Sequence, residues 1–243
     1  MEFDSIPVVP SLNPLVDADS ITYASAATIK PGEPVAFALA NAKSTLNNIL
    51  KVFPDRKFHR IYLTGSGNFR DTLGTIKIYK ANRKDMVKPE HLEATRDYLM
   101  KHWDAVMING READDAVGCA QVDKSSCIVG IDKDLNQIPG YHYNYRKQHF
   151  YNVTKLQANT FFWYQMLTGD RVDNIPGIKG VGVVTAQKII EECQGDLTRL
   201  QERVEALYRK QYGEEAWLSA MSEVGSLLYI QRSAGSSWEQ VLK

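Results

Sequence analysis

Short apolar runs alternate along the chain with longer segments of helical spacing, and that alternation predicts its elements. Leu12 to Asp17 carries the apolar pair Leu15-Val16 followed by Asp-Ala-Asp, which reads as a short buried strand delivering Asp17 at its carboxyl end. In open α/β sheets ligands bind at that end; the plainer reading makes Asp17 the N-cap of a helix over Ser20 to Ala27. Pro34 to Val52 gathers Phe37, Leu39, Ala40, Leu46, Ile49 and Leu50 on one broad face and is predicted helical, and Arg60 to Thr64 is the strand that completes a β-α-β unit. The glycine-rich loop that follows, Gly65 to Arg70, can approach a phosphate through backbone amides or serve only as a tight turn. Pro89 opens a helix to about Lys101, and Asp104 to Ile108 is a third strand.

A helix over Glu112 to about Val122 comes next, then the clearest β-run, Ser126 to Ile131. Tyr141 to Tyr145 and Gln148 to Asn152 alternate as a hairpin whose His142 and His149 read as surface or hairpin residues without metal-ligand company. Leu156 to Leu167 is an aromatic helix ended by Gly169. Glycines 177, 180 and 182 make a tight turn, and Val183 opens a helix with Thr185 and Lys188 on its exposed side. Asp196 to Tyr212 and Glu214 to Tyr229 read as amphipathic helices without evident chemistry, and the residues from Ser233 as a loosely held tail.

Composition narrows the class. With 243 residues, 44% hydrophobic and 24% charged, the chain is globular, and 29 basic against 29 acidic residues leave only charge distribution to inform on partners. Cys119, Cys127 and Cys193 lack metal-ligand spacing; with no leader-like N-terminus they suggest reduced thiols in a cytoplasm, that of the host cell if the chain is phage-encoded. No apolar run is long enough to span a bilayer, so no membrane partner is expected.

Chemistry concentrates in the acids. Glu112, Asp114 and Asp115 crowd into one helical turn, and two charges about 5 Å apart repel by roughly 3 kcal/mol at an effective dielectric near 20. Partial burial among Ala113, Ala116, Val117 and Cys119 favours a site over an exposed turn that merely complements the helix dipole. Asp132 with Asp134, and Asp170 with Asp173, repeat the placement of carboxylates where an element ends. If they converge, hard divalent cations are the natural neutralisers. Lys77, Lys80, Arg83, Lys84 and Lys88, with Tyr79 among them, form a basic stretch able to hold phosphates and stack a base, or else a solvated loop. The glycine turn at 177–182, with Lys179, can take a DNA phosphate on its backbone amides, or be a packing element.

Five motifs in order over residues 15 to about 190 resemble the 5′ nuclease superfamily: flap endonucleases, the 5′-exonuclease domain of bacterial DNA polymerases and, most closely, phage 5′-3′ exonucleases. They are Leu15-Val-Asp-Ala-Asp19, Tyr79-Lys-Ala-Asn-Arg83, Glu112-Ala-Asp-Asp115, Asp132-Lys-Asp134 and the run from Gly169 to Gly182 that joins a carboxylate pair to the glycine turn. The resemblance implies an α/β fold, a twisted mostly parallel sheet flanked by helices (a PIN-like nuclease core), over residues 1–155. A short basic arch region lies at about 70–100, and a helical region at 156–243 carries a helix-three-turn-helix. It implies two magnesium ions, with manganese as substitute, held by Asp17, Glu112, Asp114 and Asp132 on one side and Asp134, Asp170 and Asp173 toward the second, with Asp115 also among the metal residues. Lys80 would stabilise charge on the scissile phosphate, and Arg83 would steer the strand, with Tyr79 and Lys84 among the DNA contacts. Gly177, Lys179, Gly180, Gly182, Thr185 and Lys188 would grip the duplex, with a potassium ion between turn carbonyls and phosphate.

The expected function is hydrolysis, by a monomer, of phosphodiesters near the 5′ end of duplex, nicked, branched or flapped DNA in replication. RNA primer strands are an alternative substrate for an RNA-cleaving relative, and a branched-DNA-binding protein that does not cut is a rival. Two departures from the family pattern stand out. Thr64-Gly65-Ser66 occupies the place of an expected second-strand carboxylate, for which Asp19 (on the face of Asp17 if the strand persists) or Asp71 are substitutes, and the stretch after Arg83 leaves a reduced arch.

Overall fold

The computed structural model describes residues 12–53, 59–122 and 125–242. Five parallel strands and one antiparallel edge strand form the main sheet in the order β3-β2-β1-β4-β5-β6, with β1 Asn13–Asp17, β2 Arg60–Thr64, β3 Val106–Ile108, β4 Ser126–Val129, β5 Gly140–Asn144 and β6 His149–Val153. The chain moves outward from β1 through β2 to β3, then returns to the other side of β1 for β4, so the order reverses at the β1/β4 pair. A crevice opens at the carboxyl ends of strands at such a switch point.

Strand side chains alternate between two layers, as the pleat requires. Val16, Ile61, Leu63, Cys127 and Val129 face one core with α1 (Asp19–Ala27), α2 (Val35–Lys51) and α3 (Leu92–His102). Leu15, Tyr62 and Ile128 face the opposite core with α4 (Ala113–Ala120). Each fully buried Leu, Ile or Val contributes roughly 1.5–3 kcal/mol. The face of Leu15 is also that of Asp17, so the strand aims its last carboxylate toward the start of α4.

A third core joins α5 (Lys155–Thr168), α6 (Val183–Glu192), α7 (Leu197–Tyr212) and α8 (Trp217–Leu228). Thr154 caps α5 by accepting from Gln157 N, and Gly169 at φ 65°, a conformation that favours glycine, ends it. A two-stranded ribbon of β7 (Gly169–Asp170) and β8 (Ile175–Pro176) then leads into the turn before α6.

Several expectations need correction. The helix expected from Pro89 begins at Leu92, and the strand expected from Asp104 begins at Val106. Asp19 opens α1 instead of continuing β1. His142 lies in the hairpin, one of its two expected places, but is buried instead of at the surface, with Nε2 at 2.8 Å from the Ile138 carbonyl and its ring stacked on Tyr151. The tail is not loose: residues 238–242 form a 3-10 turn whose Trp238 packs edge-on to Trp163 at 6.3 Å between centroids, and the Val241 carbonyl accepts from Asn159 Nδ2 at 2.5 Å. The N-terminal stretch through residue 11 lies outside the described residues.

Candidate active site

At the carboxyl end of the central strands a cleft of about 840 Å³ is lined by Asp17, Glu112, Asp114, Asp132, Asp134, Asp170 and Asp173, with Asp19, Lys80, Arg83 and Lys133. Each acid is placed by a different local device. Asp17 ends β1 and accepts from Asp19 N at 3.2 Å. Asp19 accepts from Thr64 N at 3.1 and 3.2 Å and pairs with Arg96 at 3.0 Å, which brings a carboxylate to the exit of β2 where the sequence has none. The Thr64 hydroxyl in turn accepts from Ala113 N at 2.8 Å and fixes the first turn of α4, behind Glu112. Asp132 caps a 3-10 turn by accepting from Asp134 N at 2.9 Å, and Asp134 accepts from Gln165 Nε2 at 2.8 Å. Asp170 accepts from Val172 N at 2.7 Å within the ribbon turn.

Crowding shows in the protonation. Burial, with Asp19 and Asp132 adding, pushes the Asp17 carboxyl up to about 8. Burial and Asp132 push Asp134 to about 7, and burial with Asp115 lifts Asp114 well above the usual range. Asp170 runs the other way: burial would raise it, but the Lys133 ammonium outweighs burial and holds it low. Lys80 bonds Glu112 and lies 3.6 Å from Asp173, while Arg83 pairs with Asp173; these acids overcome burial and raise the Lys80 pKa.

The donor set is oxygen alone, which suits hard divalent cations. Burial is the main cause of these raised carboxyls, and the neighbouring acids add to it negative charge that a bound cation would offset. Among the described residues no three acids, histidines or cysteines already close as a finished cage. The acids ring the cleft, and several are drawn onto lysine or arginine instead.

A larger trough of about 940 Å³ runs between α1, α2 and the β5–β6 hairpin; no acid among the described residues lines it, and it meets the cleft at Ala24 and Arg146.

No family model matches the sequence. DNA polymerase I of Pseudomonas aeruginosa is 29% identical over 207 residues, 75% of this chain and 22% of the polymerase. The 5′-3′ exonuclease of Bacillus subtilis is 31% identical over 173 residues, 62% of this chain and 56% of that protein. Among solved structures, T5 5′-exonuclease with bound zinc superposes with a TM-score of 0.59 at 15% identity, covering 95% of this chain and 98% of that one. The chain is thus similar in sequence to 5′-3′ exonucleases and in fold to T5 5′-exonuclease. It spans about a fifth of the matched polymerase and somewhat more than half of the matched exonuclease.

Two of the expected assignments fall elsewhere. Asp115 does not line the cleft: it is 0% exposed and forms a two-pronged pair with Arg70 at 2.6 and 2.9 Å. Arg70, itself 1% exposed, also donates to the carbonyls of Leu227 and Tyr229. A lone arginine in a glycine-rich loop gave no sign of this. Tyr79 is 7% exposed, so its ring has no free face for a base, and its hydroxyl donates to Glu112 at 3.0 Å and Asp173 at 3.1 Å. Asp71 is not among the residues of the cleft, and Lys84 stands exposed outside it. Lys179, Gly180, Gly182, Thr185 and Lys188 are exposed on the turn and α6, beyond the cleft, with Gly177 half-buried behind them. Sequence reading missed Lys133 and Arg96 altogether.

Proposed function

We propose that this chain is a divalent-metal-dependent 5′ nuclease that hydrolyses phosphodiesters near the 5′ end of duplex or flapped DNA. The carrying observation is the convergence of seven expected acids from separate segments on one cleft that also presents Lys80 and Arg83. The relatives named as 5′-3′ exonuclease and DNA polymerase support DNA as substrate, and the zinc-bound T5 structure supports a divalent ion. Asp17, Glu112, Asp114 and Asp132 would hold one magnesium, Asp134, Asp170 and Asp173 a second, with manganese as substitute and Asp19 standing at the β2 exit. Bound there, such ions supply an activated water and neutralise charge on the leaving oxygen.

The remaining work falls to side chains. Lys80 and Arg83 stand on a short 3-10 turn at the cleft wall and face the developing phosphate charge. Tyr79 holds Glu112 and Asp173 in place from behind. The exposed turn at 177–182 and the start of α6 take duplex phosphates through backbone amides and Lys179 and Lys188, with a potassium ion completing that contact, and the protein acts as a monomer. Contacts of this kind are sequence-independent and weaken with salt.

The test uses 5′-labelled flap, nicked-duplex and single-stranded DNA, with an RNA-containing 5′ strand for comparison, in magnesium, calcium and chelator. Magnesium-dependent release of short 5′ products from flap or nicked duplex is expected. Binding of branched DNA with no product in any metal would overturn the proposal in favour of a non-cleaving binder, and product only from the RNA-containing strand would replace DNA by RNA.

A further inference from the structure

The two halves of the cleft differ in how their acids are compensated. Asp17, Asp114 and Asp132 form no ion pair among the described residues. Across the cleft the Lys133 ammonium sits on Asp170 Oδ2 at 2.5 Å and Asp134 Oδ1 at 3.2 Å. Both carboxylates are fixed by the fold: Asp170 by the amides of Val172 and Asp173, Asp134 by Gln165 Nε2 on the same oxygen that meets Lys133. Their side chains are 3% and 23% exposed, whereas that of Lys133 is 59% exposed, so the lysine is the partner free to withdraw.

With Asp170 Oδ1 taken by the amides of Val172 and Asp173, a divalent cation bridging Asp134 and Asp170 needs the Asp170 Oδ2 that Lys133 already holds. We propose that Lys133 is a resident counter-ion competing with that cation, so that the cleft fills in order, first at the bare acids and then, more weakly, at the lysine-held pair. The inference rests on the reading that these acids bind divalent cations. Lys133 is a positioning residue here, since it acts through Asp134 and Asp170. Because its stem is largely exposed, its hold is screened, and its removal should tighten the second site by roughly two- to fivefold.

The experiment titrates the full chain with manganese in the absence of nucleic acid and counts free ion by electron paramagnetic resonance. Wild type is expected to show a tighter and a weaker class of ion. Lys133→Met should tighten the weaker class alone, and Lys133→Gln should do the same should the methionine variant not fold. Lys133→Arg, which keeps the charge, should leave the classes apart. In chelator the neutral variants should melt at lower temperature than wild type, because Asp170 loses its partner, and gain more from added manganese.

A weaker class that stays in place or loosens in the neutral variants overturns the role of Lys133 and leaves the nuclease reading standing. An arginine variant that behaves like the neutral ones overturns it as well. Wild type that binds no manganese sinks both together.

Discussion

Asp115→Asn separates a carboxylate spent on the fold from one that holds ions. Asp115 Oδ2 accepts from Arg70 Nη1 at 2.6 Å and Glu112 N at 3.2 Å; Oδ1 accepts from Arg70 Nη2 and Gln231 N, both at 2.9 Å. Whichever way an asparagine amide turns, its NH₂ faces two donors. Among the described residues the Arg70 guanidinium, 1% exposed, then keeps only the looser attraction of Asp114 and of Glu112 at 3.9 Å. Removing one partner of a buried pair costs about 3–5 kcal/mol, a large share of the roughly 5–15 kcal/mol that holds a domain folded. Urea denaturation in chelator should therefore show a loss of that size, while the folded variant keeps its affinity for manganese. Asp114→Asn should do the reverse: it relieves crowding, so metal-free stability holds or rises, and ion affinity falls. A loss below about 1 kcal/mol for Asp115→Asn, or a loss of ion binding equal to that of Asp114→Asn, refutes the reasoning.

Protonation gives a second prediction. Asp17 and Asp134 keep their protons in the folded state to about 8 and about 7, whereas the unfolded chain releases them near pH 3.9. Between those values the folded state binds more protons, so in chelator the melting temperature should fall as pH rises from about 4 to about 8. A divalent cation should flatten the fall, and a rising profile in chelator would contradict this sign. Third, Trp238→Ala removes a ring 8% exposed that packs against Phe162 and Trp163. It should cost about 3–5 kcal/mol in urea denaturation; a change under about 1 kcal/mol would mean the terminal turn carries no load.

What the sequence made legible follows from range. Strand β2 and the β5–β6 hairpin declare themselves in a few consecutive residues, through apolar runs and alternation, and they form close to where they are expected. The acids at element ends were legible for the same reason, because a carboxylate after an apolar strand is a local pattern. Arg70 was not: its partners are Asp115, Leu227 and Tyr229, brought to it only by tertiary folding. Nothing within its own loop distinguishes it from a solvated charge. Lys133 between two aspartates looks like surface, and only the approach of Asp170 from the ribbon makes it a counter-ion. Asp115 misled because a carboxylate cluster announces negative charge without saying which member faces the cleft.

The Arg70 clamp ties the turn at Glu112–Asp115 to Leu227, Tyr229 and Gln231, which follow every acid of the cleft along the chain. A chain still emerging from the ribosome has every acid of the cleft well before it has the anchor that sets that turn. Translation that stops before Leu227 leaves that turn without its anchor, so interrupted synthesis yields fragments without a finished cleft.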